Sequence, residues 1–166
     1  MTNLVVYGSL MHEDELFNQG LSGHNLEQIK VYGYKRVFNQ EPSYRQSDSI
    51  NRAVLNIVAS PNDWFNAILI KDLDEAYLEA LDIREQGYDR VIVDVITYNK
   101  KSYKNCFVYL GRKSKQNNEI KPNLEYQTLC EEGAKTYGEE FYEDYLETTF
   151  GFWLFYIRFF KAIYLS

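Results

Sequence analysis

Apolar and polar positions along the chain follow two rhythms. Branched and aromatic side chains crowd residues 3–7, 31–38, 52–58, 65–71, 90–98 and 104–110, runs of strand length that predict six β-strands. Helical spacing appears at 13–19, at 73–84 and at 123–147. In the second of these, Leu73, Ala76, Tyr77, Ala80 and Leu81 form an apolar stripe behind a cap at Asp72 or Asp74. Pro122 stands just ahead of the third, where its missing N–H does no harm, and Gly138 predicts a break within it. Strands dominate the middle and helices fill the gaps and the end, without a regular β-α alternation. The pattern predicts an α+β fold, a mixed and partly closed, barrel-like sheet with surrounding helices. The polar, turn-rich stretch QEPSYRQSDSINR, 40–52, predicts an exposed loop and a candidate lid.

Composition narrows the class. A chain of 166 residues with 45% hydrophobic and 25% charged residues fits one globular domain that needs neither metals nor disulfides to bury a core. A formal net charge of -6 argues against nucleic acid, whose phosphates call for a basic surface. Cys106 and Cys130 form no CxxC pair, so neither a zinc site nor a redox dithiol is expected, and a reducing cytoplasm fits best. Val5 and Val6 already belong to the first strand, which leaves no pattern of a signal peptide.

The end of the chain departs from this picture. GFWLFYIRFFKAIYLS is almost wholly apolar, yet it is shorter than the roughly 20 residues of a spanning helix and carries Arg158 and Lys161. We expect a domain over 1–149 and a separate apolar tail over 150–166. Three roles suit the tail: covering an apolar patch of the domain or of a partner, lying along a membrane surface, or a simple extension. The oligomeric state stays open.

Candidate chemistry is defined first by what is missing. His12 and His24 stand apart from any cysteine pair, Ser9 lies in no GxSxG, and neither a phosphate-binding loop nor a dinucleotide fingerprint is present. What remains is carboxylate acid-base chemistry and backbone recognition. Glu85, in LDIREQGYDRVIVDV, sits where a helix gives way through Gly87 to a strand. There a carboxylate can be partly desolvated and its pKa raised toward the range useful for proton transfer. The pattern equally suits a glutamate that solvates a helix end, paired with Arg84 or Arg90. Tyr7-Gly8-Ser9-Leu10 ends the first strand just before a helix. It is either a plain tight turn or a cradle whose unpaired N–H groups hold an anion such as a substrate carboxylate.

Read together, these stretches gain weight. VVYGSL, then LDIREQGYDRVIVDV, then PNLEYQTLCEEGAKTYGEEFYEDYL, in that order, resembles the gamma-glutamylcyclotransferase superfamily with its AIG2-like and ChaC-like branches, over roughly residues 3 to 149. The resemblance implies a small mixed sheet closed toward a barrel. It also implies a loop at Tyr7, Gly8, Ser9 and Leu10 that binds the gamma-glutamyl group through backbone N–H groups. Glu85 takes the position of the catalytic carboxylate, and Tyr88 and Tyr126 fall where family tyrosines line the pocket. Some members have Asn after the serine, where this chain has Leu10, so the substrate is less defined than the reaction.

The implied partner is a small-molecule gamma-glutamyl substrate. Its own α-amine attacks the γ-carbonyl, giving 5-oxoproline and a free amine or amino acid with no protein nucleophile, metal or organic cofactor. Glu85 would serve as general base and then acid. A relative that acts on gamma-glutamylamines or removes a gamma-glutamyl protecting group is an alternative, and so is a non-catalytic ligand-binding module of the same fold.

Overall fold

Five strands close into a ring. In the computed structural model, which describes residues 1–43 and 51–151, these are β1 (Thr2–Val6), β2 (Leu26–Gln40), β3 (Asn51–Leu73), β4 (Tyr88–Thr97) and β5 (Ser102–Gly111). They pair in the order β3-β1-β5-β4-β2, and β2 returns to β3, so the barrel is fully closed rather than partly. Only β1 and β5 run parallel; the other four contacts in the ring are antiparallel. Two short strands, β6 (Lys121–Pro122) and β7 (Thr149–Phe150), add to β3 and β2. The helices are α1 (Glu13–Asn18), α2 (Glu75–Arg84), α3 (Leu124–Lys135) and α4 (Glu139–Glu147). The expected α+β class and barrel-like sheet are both present.

The strands expected at 52–58 and 65–71 are one. Pairing with β2 jumps from Tyr32↔Trp64 to Tyr34↔Ala59, which leaves Ser60, Pro61, Asn62 and Asp63 without a partner across the ladder. The Ser60 hydroxyl bonds the Asp63 carboxylate inside this bulge. Proline has no N–H to give to a ladder, and a bulge is where a strand tolerates it.

Burial follows position in the ring. Leu4, Val5 and Val6 of β1 and Ala67, Ile68, Leu69 and Ile70 of β3 are all buried, so both faces of these strands are covered and the sequence reads as a continuous apolar run. In β4, Val93, Val95 and Thr97 point inward while Ile92, Asp94 and Ile96 face solvent, the alternation of a one-sided strand. The helix α2 lies on the barrel through Leu78 and Leu81; Ala76 and Ala80 of the expected stripe are exposed. Asp74 does occupy its N-cap, but with no side-chain bond. Pro122 belongs to β6, and the cap of α3 is Asn123, whose side chain accepts from the Tyr126 N–H at 3.0 Å. Gly138, at φ 102°, separates α3 from α4 as expected.

Among the described residues, one cation lies inside this core. Arg36 of β2 is wholly buried, and its guanidinium is shared among the Tyr7 carbonyl (3.3 Å), the Asn66 carbonyl (2.7 Å), the Asn66 side chain (2.9 Å), the Tyr145 carbonyl (3.3 Å) and the hydroxyls of Thr148 (3.2 Å) and Thr149 (2.8 Å). The ring of Tyr145 lies 4.2 Å from the guanidinium carbon. Burial lowers the Arg36 pKa to about 10. A single side chain thus joins the end of β1, the middle of β3, and the segment that links α4 to β7.

The loop expected at 40–52 is shorter at both ends, because Gln40 closes β2 and Asn51 opens β3; residues 44–50 of the candidate lid lie outside the described residues. Of the apolar tail, Phe150 belongs to β7, paired with Val37, and 152–166 lie outside the described residues. Among the described residues no helix is long and apolar enough to cross a membrane.

Candidate active site

At one end of the barrel, β1 runs into a 3-10 turn, Ser9–Met11, through Gly8. The turn is closed by Met11 N–H to the Gly8 carbonyl and His12 N–H to the Ser9 carbonyl, both at 2.9 Å. A turn of this kind leaves its leading N–H groups without partners inside it. Tyr7, Gly8, Ser9 and Leu10 line a cleft whose wall continues through Val54 and Leu55 of β3, Arg84 and Glu85, Tyr88, Tyr109 and Tyr126. Pro42 and Ser43 stand at its edge, so the described part of the candidate lid borders the cleft.

The seven candidate site residues of the sequence, Tyr7, Gly8, Ser9, Leu10, Glu85, Tyr88 and Tyr126, all line this cleft, although Tyr7 and Tyr126 are 119 positions apart. The packing explains how. The helix α3 lies against the Ser9–Met11 turn, and a Cβ on its Gly133 would come within 2.8 Å of the His12 backbone nitrogen, so the helix can approach only because that side chain is missing. This contact, with the Asn123 cap, carries Tyr126 to the Gly8 loop.

Glu85 is the C-cap of α2. Its N–H reaches the Leu81 carbonyl at 2.8 Å and its carbonyl accepts from Tyr88 N–H at 2.9 Å, the tight turn that starts β4. Gly87 in that turn is held from below: its carbonyl accepts from the buried Gln40 side chain at 2.7 Å and from Arg112 N–H at 2.9 Å. The Glu85 side chain is only 15% exposed and pairs with the Arg84 guanidinium at 2.8 Å. Of the two arginines proposed from sequence, Arg84 is therefore the partner; Arg90 binds Asp82 and Glu75 instead. The pairing does not place Glu85 in solvent, as a glutamate that merely solvates a helix end would be.

The tyrosines are fixed by hydrogen bonds. Tyr7 donates to the Tyr109 carbonyl at 2.7 Å, Tyr88 to the Leu55 carbonyl at 2.6 Å, and Tyr109 to the Asp82 carboxylate at 2.7 Å. Burial drives the Tyr7 pKa well above the ordinary phenol value; the charge of Glu85 adds to the rise and Arg36 opposes it. Burial also raises Tyr126, chiefly, and Tyr109, where Asp82 contributes next. These phenols are hydrogen-bond donors and walls rather than proton carriers at neutral pH.

Three lining residues were not singled out in the sequence, Val54, Leu55 and Tyr109. They stand in strands with no motif of their own, and only the pairing of β4 with β5 and of β2 with β3 brings them to the cleft. Among the described residues, no group of three or more His, Cys, Asp or Glu side chains is arranged to hold a metal ion.

A closed mixed barrel, with a strand-end glycine loop facing a carboxylate at a helix terminus, defines a gamma-glutamyl cyclotransferase-like fold. The profile of the family "Gamma-glutamyl cyclotransferase, AIG2-like" matches residues 4–129, and the chain belongs to this family. The fold is shared with YkqA from Bacillus subtilis, at a TM-score of 0.69 and 23% identity over 86% of this chain and 51% of that one. The chain therefore spans about half the length of YkqA. A structure titled gamma-glutamyl cyclotransferase gives a TM-score of 0.69 at 19% identity, over 87% of this chain and 85% of that one. A yeast gamma-glutamyl cyclotransferase described as specific to glutathione gives 0.62 at 15% identity, over 89% and 94%. No curated protein matches the chain in sequence.

Proposed function

We propose that the protein converts a gamma-glutamyl compound to 5-oxoproline, with Glu85 as the proton carrier and residues Tyr7 to Leu10 as the cradle of the gamma-glutamyl group. The observation that carries the reading is the meeting, in one cleft, of the Gly8 loop, the sequestered Glu85 carboxylate and the phenols of Tyr88 and Tyr126.

In the proposed reaction Glu85 takes a proton from the substrate α-ammonium. The freed amine attacks the γ-carbonyl and a C–N bond forms in the five-membered ring; the γ-amide C–N bond breaks as the proton held by Glu85 passes to the leaving nitrogen, and the second proton that the ring nitrogen sheds in becoming a lactam N–H follows it, so the amine departs as an ammonium. Holding amine and carbonyl together in a folded substrate contributes several kcal/mol through proximity, an effect that reaches about 7–11 kcal/mol in well-oriented systems. The leading N–H groups of the turn, those of Ser9 and Leu10, are the candidate donors to the substrate carboxylate and to the developing oxyanion.

The test is incubation of the purified protein with glutathione, gamma-glutamyl-alanine and gamma-glutamyl-lysine, with 5-oxoproline measured by mass spectrometry, beside Glu85→Gln. The amide keeps the shape of the side chain but carries no proton between atoms. Turnover is expected to fall by roughly 10²- to 10⁴-fold in a protein that still folds. Near-normal turnover in the variant would reject Glu85 as proton carrier. The panel also ranks a free amino acid against a side-chain amine as the leaving group.

A further inference from the structure

Glu85 is part of a chain of charges that reaches across the mouth of the cleft. The Arg84 guanidinium binds Glu85 Oε1 through Nη1 at 2.8 Å; through Nη2 it binds Glu15 Oε2 of α1 at 2.6 Å and the Ser9 hydroxyl at 3.3 Å. All the partners are sheltered: Arg84 is 10% exposed, Glu85 15% and Glu15 19%, and Ser9 is buried. Shelter makes these contacts stronger than ordinary surface pairs, because water and salt screen them less.

The location of Glu85 calls for such a partner. A carboxylate at the C-terminus of a helix faces the negative end of the helix dipole and loses its hydration to the cleft wall, and both effects favour the protonated acid. A base already protonated cannot accept the substrate proton. Arg84, in the last turn of the same helix, supplies the opposing charge. Among the described residues, the other polar side chains that line the cleft are hydroxyls, from Tyr7 just after β1, Ser9 on the turn, Ser43 at the edge, Tyr88 on β4, Tyr109 on β5 and Tyr126 on α3. Asp82 and Arg90 bind each other one step beyond, through the hydroxyl of Tyr109 for Asp82, and Arg36 lies behind Tyr7.

Resting on the reading of Glu85 as proton carrier, we infer that Arg84 is a positioning residue that holds Glu85 as an ionised carboxylate and ties it to the Ser9 end of the substrate loop, with Glu15 as the counterweight that limits its pull. The arrangement lets one carboxylate do both halves of the task. Ionised, Glu85 is ready as a base; once it accepts the proton its ion pair with Arg84 is lost, and the resulting acid gives the proton up readily to the leaving nitrogen. Glu15 prevents Arg84 from binding Glu85 so strongly that no proton would be taken.

The test follows the Glu85 carboxyl carbon by NMR through a pH titration of the full chain labelled in glutamate, with Glu85→Gln to assign the signal, alongside the acid limb of the kcat/KM pH profile. In Arg84→Gln the titration midpoint and the acid limb both move to higher pH, by about one unit or more, a tenfold rise in proton affinity. Arg84→Lys moves them back toward the wild-type value, and Glu15→Gln moves them to lower pH. A Glu85 midpoint unchanged in Arg84→Gln, or shifts of the same sign in Arg84→Gln and Glu15→Gln, would overturn the inference. If Arg84→Gln does not fold, Glu15→Gln decides by the sign of its shift alone. The carboxyl titration needs no turnover, so it separates two failures: expected midpoint shifts in a protein that makes no 5-oxoproline reject the catalytic reading and leave the charge coupling standing. Turnover lost in Glu85→Gln together with unmoved midpoints does the reverse.

Discussion

Gly8 lies so close beneath Tyr126 that a Cβ on it would come within 2.8 Å of the phenol oxygen, with Leu55 side-chain atoms 3.8 Å away on another side. The Tyr126 ring is buried and backed edge-on by Phe38, which leaves the cleft it lines as the side to which it can give way. Gly8→Val is therefore expected to displace the ring into the cleft and to weaken binding of a gamma-glutamyl ligand by roughly tenfold or more, the effect of about 1.4 kcal/mol. Calorimetric titration with a non-hydrolysable gamma-glutamyl analogue reads this directly. Unchanged affinity would mean that the loop does not form the cradle.

Arg36 makes a second prediction, on stability. Replacing it by Met removes the guanidinium donor from the carbonyls of Tyr7 and Asn66, while the Tyr145 carbonyl keeps the Thr149 hydroxyl. Two buried acceptors that lose this donor, at about 1–2 kcal/mol each, amount to a loss of about 2–4 kcal/mol, or roughly 5–15 °C in Tm for a domain of this size. Thermal unfolding followed by circular dichroism measures it. A variant as stable as the parent would show that the carbonyls find other donors.

A third concerns alkali. Seven tyrosines, Tyr7, Tyr98, Tyr109, Tyr126, Tyr137, Tyr142 and Tyr145, have pKa values raised in the fold, chiefly by burial. A raised folded-state pKa means that the folded protein holds protons which the unfolded chain releases, so stability is fully present below about pH 10 and falls as the pH rises past it. Arg36 acts in the opposite sense, because its folded pKa of about 10 lies below its unfolded value, but it is one group against seven. The protein should thus unfold in alkali, with these phenolates appearing together as the fold is lost. Phenolate absorbance and circular dichroism recorded on the same samples should give coincident transitions, and independent ionisation of these tyrosines in a folded protein would contradict the prediction.

The helix that carries Tyr126 depends on its cap. Asn123→Ala removes the bond to the Tyr126 N–H and is expected to cost about 1 kcal/mol, read as a lower denaturation midpoint at unchanged slope.

Much of this architecture could be read in advance because it is written locally. The run LVV, the Gly-Ser turn and the helix-to-strand junction at Glu85 are all short-range signals, and the residues they nominated all line one cleft. What could not be read depends on distant pairing. Closure of the ring requires β2 to meet both β3 and β4, which no stretch of sequence announces. SPND looks like a turn between two strands, because a bulge uses the same residues as a turn. Arg36 stands in a strand as an outward-facing cation would, and only the assembled core reveals carbonyls converging on it. Arg84 could be read as a neighbour of Glu85, but its bonds to Glu15 and Ser9 span 69 and 75 positions.

The parallel pairing of β1 with β5 has a consequence for how the molecule is made. Leu4 lies beside Phe107, a partner translated about a hundred residues later. At a synthesis rate of roughly 5–20 residues per second, the LVV segment waits about 5–20 s on the ribosome before that neighbour exists. Its antiparallel partner, Ile70, is available earlier, so β1 spends the interval as the open edge of an unfinished sheet. During that time a segment later buried almost completely is open to nascent-chain chaperones and to neighbouring polysomes.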